Sequence, residues 1–230
     1  MKRTVLISGA SGNLGGAVLR IFHDRGFNIA AMDSPRSAAK LKESGSVKSF
    51  PVDLTDESGV KESVAEAFAT FHSIEMAVFT VGGFAMGGII ETGLEEFDKM
   101  YRLNFVTTYN IARQVFLRMG NQKEGGQLVF IGSRPALHPD QAKEMIAYSL
   151  TKSLVFRLAE VINEDGKEKG ITASVVIPSI IDTPQNRSSM PDADFSKWVS
   201  PASIAENIFH LSTPAGKQLR GSILKVYGDS

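Results

Sequence analysis

Apolar residues in this chain fall in short unbroken runs, separated by longer stretches where they recur every three to four positions. The runs cover residues 5–8, 28–32, 47–52, 76–81, 127–131, 172–177 and 222–226. They are rich in β-branched and large apolar side chains and alternate little with polar ones. A strand with one wet face alternates, whereas a strand covered on both faces does not. The pattern therefore predicts about seven strands, each buried on both sides.

The longer stretches read as helices. Residues 14–25 stop at Gly26, and residues 57–71 follow Thr55 and Asp56, a capping pair with acid in the first turn. Residues 94–120 hold two helices or one bent helix. Residues 145–169 end in a charged stretch before Gly170. Residues 201–211 begin with Pro201 behind Ser200, a proline at the first helical position and a serine cap. Alternation of strand and helix predicts an α/β fold, a doubly wound parallel sheet with helices on both faces and right-handed crossovers. No repeat, low-complexity tract or linker divides residues 1–230, so one domain is expected. The longest irregular stretch, 184–198, reads as a lid over a substrate site, with room for a short helix.

Composition narrows the function. The chain has 230 residues, 43% hydrophobic and 22% charged, as expected of a globular domain with a sizeable core. Lys+Arg and Asp+Glu are both 25, so no global field holds nucleic acid or an anionic membrane, and neither is expected as a partner. The absence of cysteine excludes disulfides, thiolate metal sites and a cysteine nucleophile. His23, His72, His138 and His210 lack metal-ligand spacing, so no metal is expected. The apolar run after Met-Lys-Arg is too short for a signal peptide, and no stretch approaches the roughly 20 apolar residues of a membrane span. A cytoplasmic protein is expected.

The first strand runs into Gly9, Ser11, Gly12, Asn13, Leu14 and Gly15, and then into a helix. Glycines there make the turn tight and let the backbone approach a pyrophosphate. The helix start offers free N–H groups and partial positive charge. A plain strand-to-helix turn is the simpler reading, but strand before and helix after favour a dinucleotide site. Asp33 closes the second strand, 24 residues after Gly9. A carboxylate here binds the adenosine ribose hydroxyls and repels a 2′-phosphate, so NAD(H) is favoured. Arg36 and Lys40 keep NADP(H) as the alternative. As a solvated turn residue, Asp33 would need no ligand.

With these residues in view, the chain resembles the short-chain dehydrogenase/reductase family along nearly its whole length. Its glycine loop is similar to the family's Thr-Gly-x-x-x-Gly-x-Gly motif, with Ser8 for threonine and Asn13 in a glycine slot. Asp53-Leu54 looks like the pair whose carboxylate meets the adenine amino group. Thr80-Val81-Gly82-Gly83 stands where Asn-Asn-Ala-Gly usually does, so Gly82 and Gly83 keep room for the cofactor. Asn104, Ser133, Tyr148 and Lys152 match the catalytic tetrad. Pro178, Ile181 and Thr183 match the segment that meets the nicotinamide carboxamide. The gap from Ser133 to Tyr148 is longer than usual, so the loop 134–144 has to bulge to keep Ser133 in register. A narrower likeness to dihydropteridine reductases covers residues 81–88 and 181–198. It implies NADH, and those relatives carry no serine at the Ser133 position.

The resemblance implies a Rossmann-type fold and hydride transfer between a nicotinamide and a small carbonyl, alcohol or dihydropteridine-like substrate. Tyr148 and Lys152 are four apart and share a helix face. Lys152 and an oxidised nicotinamide are expected to pull the phenol's pKa down, so that Tyr148 acts as general acid or base. Ser133 would hold the substrate oxygen, and Asn104 would support a water linking Lys152 to solvent. A Tyr and a Lys four apart also occur by chance on many helices. Their company with Asn104 and Ser133, behind a glycine loop, singles this pair out. Asn104 alone also has a simpler reading, as a helix cap. A non-catalytic NAD(P)-binding redox sensor is the alternative, motivated by Asn13 and Thr80-Val81. A nucleotide-sugar epimerase is suggested only by the glycine spacing. The family also implies a homodimer or homotetramer through the helices of Asn104 and Tyr148, which carry Ile111, Val115, Phe116, Leu154, Val155 and Leu158.

Overall fold

The computed structural model describes residues 2–229. Elements alternate along the chain: β1 (Thr4–Ser8), α1 (Asn13–Asp24), β2 (Asn28–Asp33), α2 (Pro35–Ala38), β3 (Val47–Pro51), α3 (Glu57–Phe71) and β4 (Met76–Phe79). Then follow α4 (Leu94–Tyr101), α5 (Thr107–Met119), β5 (Gly126–Ile131), α6 (Pro139–Ala142), α7 (Ile146–Asp165) and β6 (Ile171–Pro178). The chain closes with α8 (Pro184–Ser189), α9 (Pro201–Leu211) and β7 (Ile223–Val226).

The strands form one seven-stranded sheet in the order β3-β2-β1-β4-β5-β6-β7, every pair parallel. Strand order reverses between β1 and β4, which opens a crevice at their carboxyl ends, the usual ligand site of such sheets. Successive side chains of a strand point to opposite faces. Leu6 thus enters the core on the α3, α5 and α7 side, and Val5 and Ile7 the core on the α1 and α9 side. Phe22, Phe27 and Phe209 meet edge to face, with centroids 5.0–6.1 Å apart, and seal that second core.

The expected both-faced burial fails at the edges. Lys48 and Pro51 of β3 are exposed, and Ile223 of β7 is 49% exposed. An edge strand has a neighbour on one side only, and its helical cover thins out. Residues 94–120 form one continuous run whose middle, Arg102–Val106, is a π turn. Residues 145–169 divide into α7 and a 3₁₀ turn, Lys167–Lys169, which Gly170 ends at φ +66°. The stretch 184–198 holds α8 and a 3₁₀ turn, Phe195–Lys197. The short helix α2 is an addition to the expected elements. Among the described residues no helix is long and apolar enough to cross a membrane.

Candidate active site

The glycine loop folds as a cradle at the switch point. Gly9 takes φ +75°, and its carbonyl accepts from Gly12 N at 2.9 Å. A Cβ on Gly15 would lie 2.0 Å from Gly9 O, so no other residue fits there. Helix α1 starts on Gly12, and no side chain caps its first turn. Its leading N–H groups and partial positive charge therefore face the crevice, a fit for a pyrophosphate. Thr80, in the sequence only a departure from the family's Asn-Asn-Ala-Gly, has a structural part here. Its hydroxyl donates to Ser8 O at 2.7 Å and lies 2.8 Å from where a Cβ on Gly9 or Gly15 would be. It ties β4 to the glycine loop. Only its position at the end of a strand beside that loop hinted at this in the sequence.

Asp33 is 5% exposed and faces the loop. Its carboxylate accepts from Ser11 N at 3.1 Å and from Ser11 Oγ at 2.9 Å. Burial raises its pKa, and the two Ser11 hydrogen bonds oppose that rise. Asp53, by contrast, is exposed. It accepts from the backbone and hydroxyl of Thr55, at 2.9 and 2.8 Å, which lower its pKa. Leu54 beside it is buried, and its carbonyl accepts from Asn110 Nδ2 at 3.1 Å.

A cavity of about 650 Å³ lies between Ser11, Gly12, Asn13, Ser37 and Lys40 on one side and Pro184, Gln185 and Ser188 on the other. Asn13 Nδ2 donates to Gln185 Oε1 at 2.8 Å, so the residue in the glycine slot bridges the loop to α8. The α8 segment is itself braced. Thr183 Oγ1 accepts from Asn186 N at 3.2 Å, and Arg187 forms a two-pronged pair with Asp182, at 2.6 and 2.8 Å. Ile181 bridges to Val199, and Pro178 ends β6.

Further along the crevice, α7 carries Tyr148 and Lys152 past the end of β5. Lys152 is buried, and Nζ donates to Ile131 O at 2.9 Å. Burial lowers its pKa to about 8. Ser133 follows β5 and is also buried. The loop between them absorbs its extra length in a 3₁₀ turn, Arg134–Ala136, and in α6. Gly87 then clamps the loop, donating to Glu144 O at 2.8 Å and accepting from Ile146 N at 2.9 Å. Ser133 consequently stays beside Tyr148. Its hydroxyl draws the phenol's pKa down but falls short of a full hydrogen bond, and Ser133 Oγ has no other protein partner.

The fall in the Tyr148 pKa is expected from Lys152 and an oxidised nicotinamide together, and the protein groups alone do not give it. Burial dominates and raises it, and only Ser133 pulls the other way. The loss of water around the phenol outweighs what its neighbours return. The ring of Phe84 meets that of Tyr148 edge to face at 5.0 Å. Asn104 sits fully buried in the π turn. Its Oδ1 accepts from Gly83 N at 2.8 Å, and its Nδ2 donates to Thr151 Oγ1 at 3.2 Å. A Cβ on Gly82 would lie 3.0 Å from Asn104 Oδ1 and 3.2 Å from Lys152 Nζ. Asn104 and Lys152 thus meet at Gly82, and Ser133 meets Tyr148.

The model of the short chain dehydrogenase family matches residues 3–194. A dihydropteridine reductase of Dictyostelium discoideum is 26% identical, over 98% of this chain and 94% of that protein. A cyclic-di-GMP-binding biofilm dispersal mediator protein of Escherichia coli is 26% identical, over 98% of this chain and 96% of that one. Among solved structures, ElxO with NADP bound superposes with a TM-score of 0.87 at 23% identity, covering 99% of this chain and 98% of that one. A 3-ketoacyl-(acyl-carrier-protein) reductase of Brucella melitensis complexed with NADH gives 0.85 at 20% identity, covering 98% and 97%. With the family model spanning most of the chain over a parallel seven-stranded sheet, this protein belongs to the short chain dehydrogenase family of NAD(P)-dependent oxidoreductases.

Proposed function

We propose that the protein reduces a small carbonyl or dihydropteridine-like substrate, with Tyr148 as proton donor and NAD(H) as the preferred cofactor. The observation that carries this reading is the Ser133 hydroxyl, buried, without a full hydrogen bond, and next to the Tyr148 phenol. A buried polar group without a partner is costly, and a substrate oxygen or ring nitrogen placed there would satisfy it. The raised pKa keeps Tyr148 protonated at neutral pH, which suits a general acid. When bound, reduced nicotinamide supplies the hydride. Tyr148 then delivers the proton to the atom that gains negative charge, and Ser133 holds that atom in place. Lys152, with its pKa near 8, remains largely protonated at neutral pH and stabilises the phenolate left behind. Asn104 holds Gly83 beside it.

Gly9, Ser11, Gly12, Asn13, Leu14 and Gly15 would hold the pyrophosphate end of the cofactor. Asp33, Asp53 and Leu54 would flank the adenosine. Gly82, Gly83, Lys152, Pro178, Ile181 and Thr183 would flank the nicotinamide end. The carboxylate of Asp33 supports NAD(H) over NADP(H). The segment 184–198 acts as the lid, held to the loop through Asn13. Phe84 and Met86, 57% and 61% exposed, offer apolar surface for a flat ring. The named activity of the Dictyostelium relative supports the same substrate class. Thr80 and Asn13, the departures that motivate the non-catalytic redox sensor, each have a hydrogen-bond partner in the site, which supports the reading of an intact cofactor cradle.

A homodimer or homotetramer through α5 and α7 belongs to the same reading. Ile111, Val115 and Val155 are core residues, so the free apolar surface falls on Leu117, Leu150, Leu154 and Val161. The test of function is a titration with NADH and NADPH, followed by a reduction screen that includes quinonoid dihydropterin. Oxidation of NADH with a carbonyl or pterin substrate is expected. Tight cofactor binding with no turnover across the whole screen would refute it.

A further inference from the structure

Thr151 stands immediately before Lys152 on α7 and is fully buried. Its hydroxyl lies 3.2 Å from Asn104 Nδ2, 2.8 Å from Ala147 O and 3.0 Å from Tyr148 O. The direction of these hydrogen bonds is forced. A backbone N–H can only donate, so the group of Asn104 that faces Gly83 N must be its oxygen. The amide nitrogen then faces Thr151, which must accept from it. The hydroxyl proton is left for the carbonyls of Ala147 and Tyr148. A flipped Asn104 would set its NH₂ against the Gly83 N–H, donor against donor, and leave Gly83 N without an acceptor. The result is a chain of donors directed from Gly83 N through Asn104 and Thr151 to the α7 carbonyls of Ala147 and Tyr148.

That chain begins where Lys152 stands. Asn104 Oδ1 and Lys152 Nζ both pack on Gly82, within 3.0 and 3.2 Å of the place a Cβ would take. The backbone of Gly82 and Gly83 has no side chain to anchor it, and Asn104 is the side chain that holds Gly83 N. Beyond Gly83 and Thr151, the Asn104 side chain makes a weak contact to Met100 Sδ at 3.9 Å. Thr151 is therefore its principal brace on the α7 side.

We propose that Thr151 is a positioning residue, which fixes the Asn104 carboxamide and through it the Gly82–Gly83 backbone against which Lys152 is set. The inference rests on the reading of Tyr148 and Lys152 as the reacting pair. A valine at 151 keeps the volume and removes the hydroxyl, whereas a serine keeps the hydroxyl.

The test pairs a readout that needs no turnover with one that does. Amide exchange at Gly83, followed by NMR, is expected to quicken about tenfold or more in Thr151→Val, the loss of roughly one hydrogen bond. Thr151→Ser should stay near wild type. In the substrate screen, Thr151→Val should lose about 10–100-fold in kcat, the usual cost of a small misplacement, with the KM for NADH little changed. Its pH–rate profile should shift from that of wild type, and Thr151→Ser should restore both. Gly83 protection unchanged in Thr151→Val would overturn the proposal, as would equal kcat and pH profile in the two variants. If Gly83 exchange responds as expected while the wild-type protein turns over no substrate, the hydrogen-bond chain stands and the reaction assigned above fails. Should Thr151→Val not fold, Thr151→Ala removes the same hydroxyl without placing a methyl group against Asn104.

Discussion

Replacing Lys152 with methionine keeps the length of the side chain and removes its charge. Lys152 is 6% exposed, and burial takes its pKa from 10.5 to about 8. Between those values the unfolded chain binds more protons than the folded one, so stability rises with pH through that window. Below pH 8 the lysine is charged in both states, and the folded state carries the full burial penalty. At about 1.4 kcal/mol per pKa unit, the penalty is roughly 3 kcal/mol. Lys152→Met abolishes this pH-dependent part. It also strips Ile131 O of its partner, a pH-independent loss of about 1–2 kcal/mol. The assay is urea unfolding of both proteins from pH 7 to 10.5. The variant should be as stable as wild type or somewhat more so at pH 7, and its advantage should shrink by roughly 3 kcal/mol as pH rises past 10. A difference independent of pH would refute the reasoning, because Lys152 would then titrate alike in both states.

Two other perturbations probe the cofactor end. Gly15→Ala places a methyl group 2.0 Å from Gly9 O. The loop must open, so NADH affinity measured by fluorescence should fall at least about 100-fold, a cost of roughly 3 kcal/mol or more. Asp33→Asn keeps an acceptor for Ser11 and removes the negative charge. The repulsion lost is about 3 kcal/mol for unit charges ~5 Å apart at an effective dielectric constant of 20. The ratio of NADPH to NADH affinity should therefore rise about 10–100-fold, as measured by titration of both cofactors. An unchanged ratio would mean that Asp33 does not face the 2′ position.

Local signals made much of this molecule legible. The helices 57–71 and 201–211 could be read end to end because Asp56 and Ser200 cap them, each accepting a backbone N–H of the first turn. The glycine loop and the Tyr148–Lys152 pair were visible as short patterns of fixed spacing. What stayed hidden depends on distant partners. The exposure of β3 and β7 follows from their edge places in the sheet, which no single strand encodes. The π turn around Asn104 has no side-chain period of its own. The Asn13–Gln185 contact joins residues 172 positions apart. Among the protein groups alone the Tyr148 pKa is set by burial, which the sequence expresses only through the fold.

The account turns on Tyr148 as proton donor, and the most direct measurement is steady-state reduction by Tyr148→Phe beside wild type, with NADH binding followed in parallel. The substitution removes one hydroxyl from a half-buried ring and leaves the glycine loop untouched. The predicted result is a loss of about 10²–10⁴-fold in kcat with NADH affinity within about twofold of wild type. Turnover close to wild type in that variant would contradict the account.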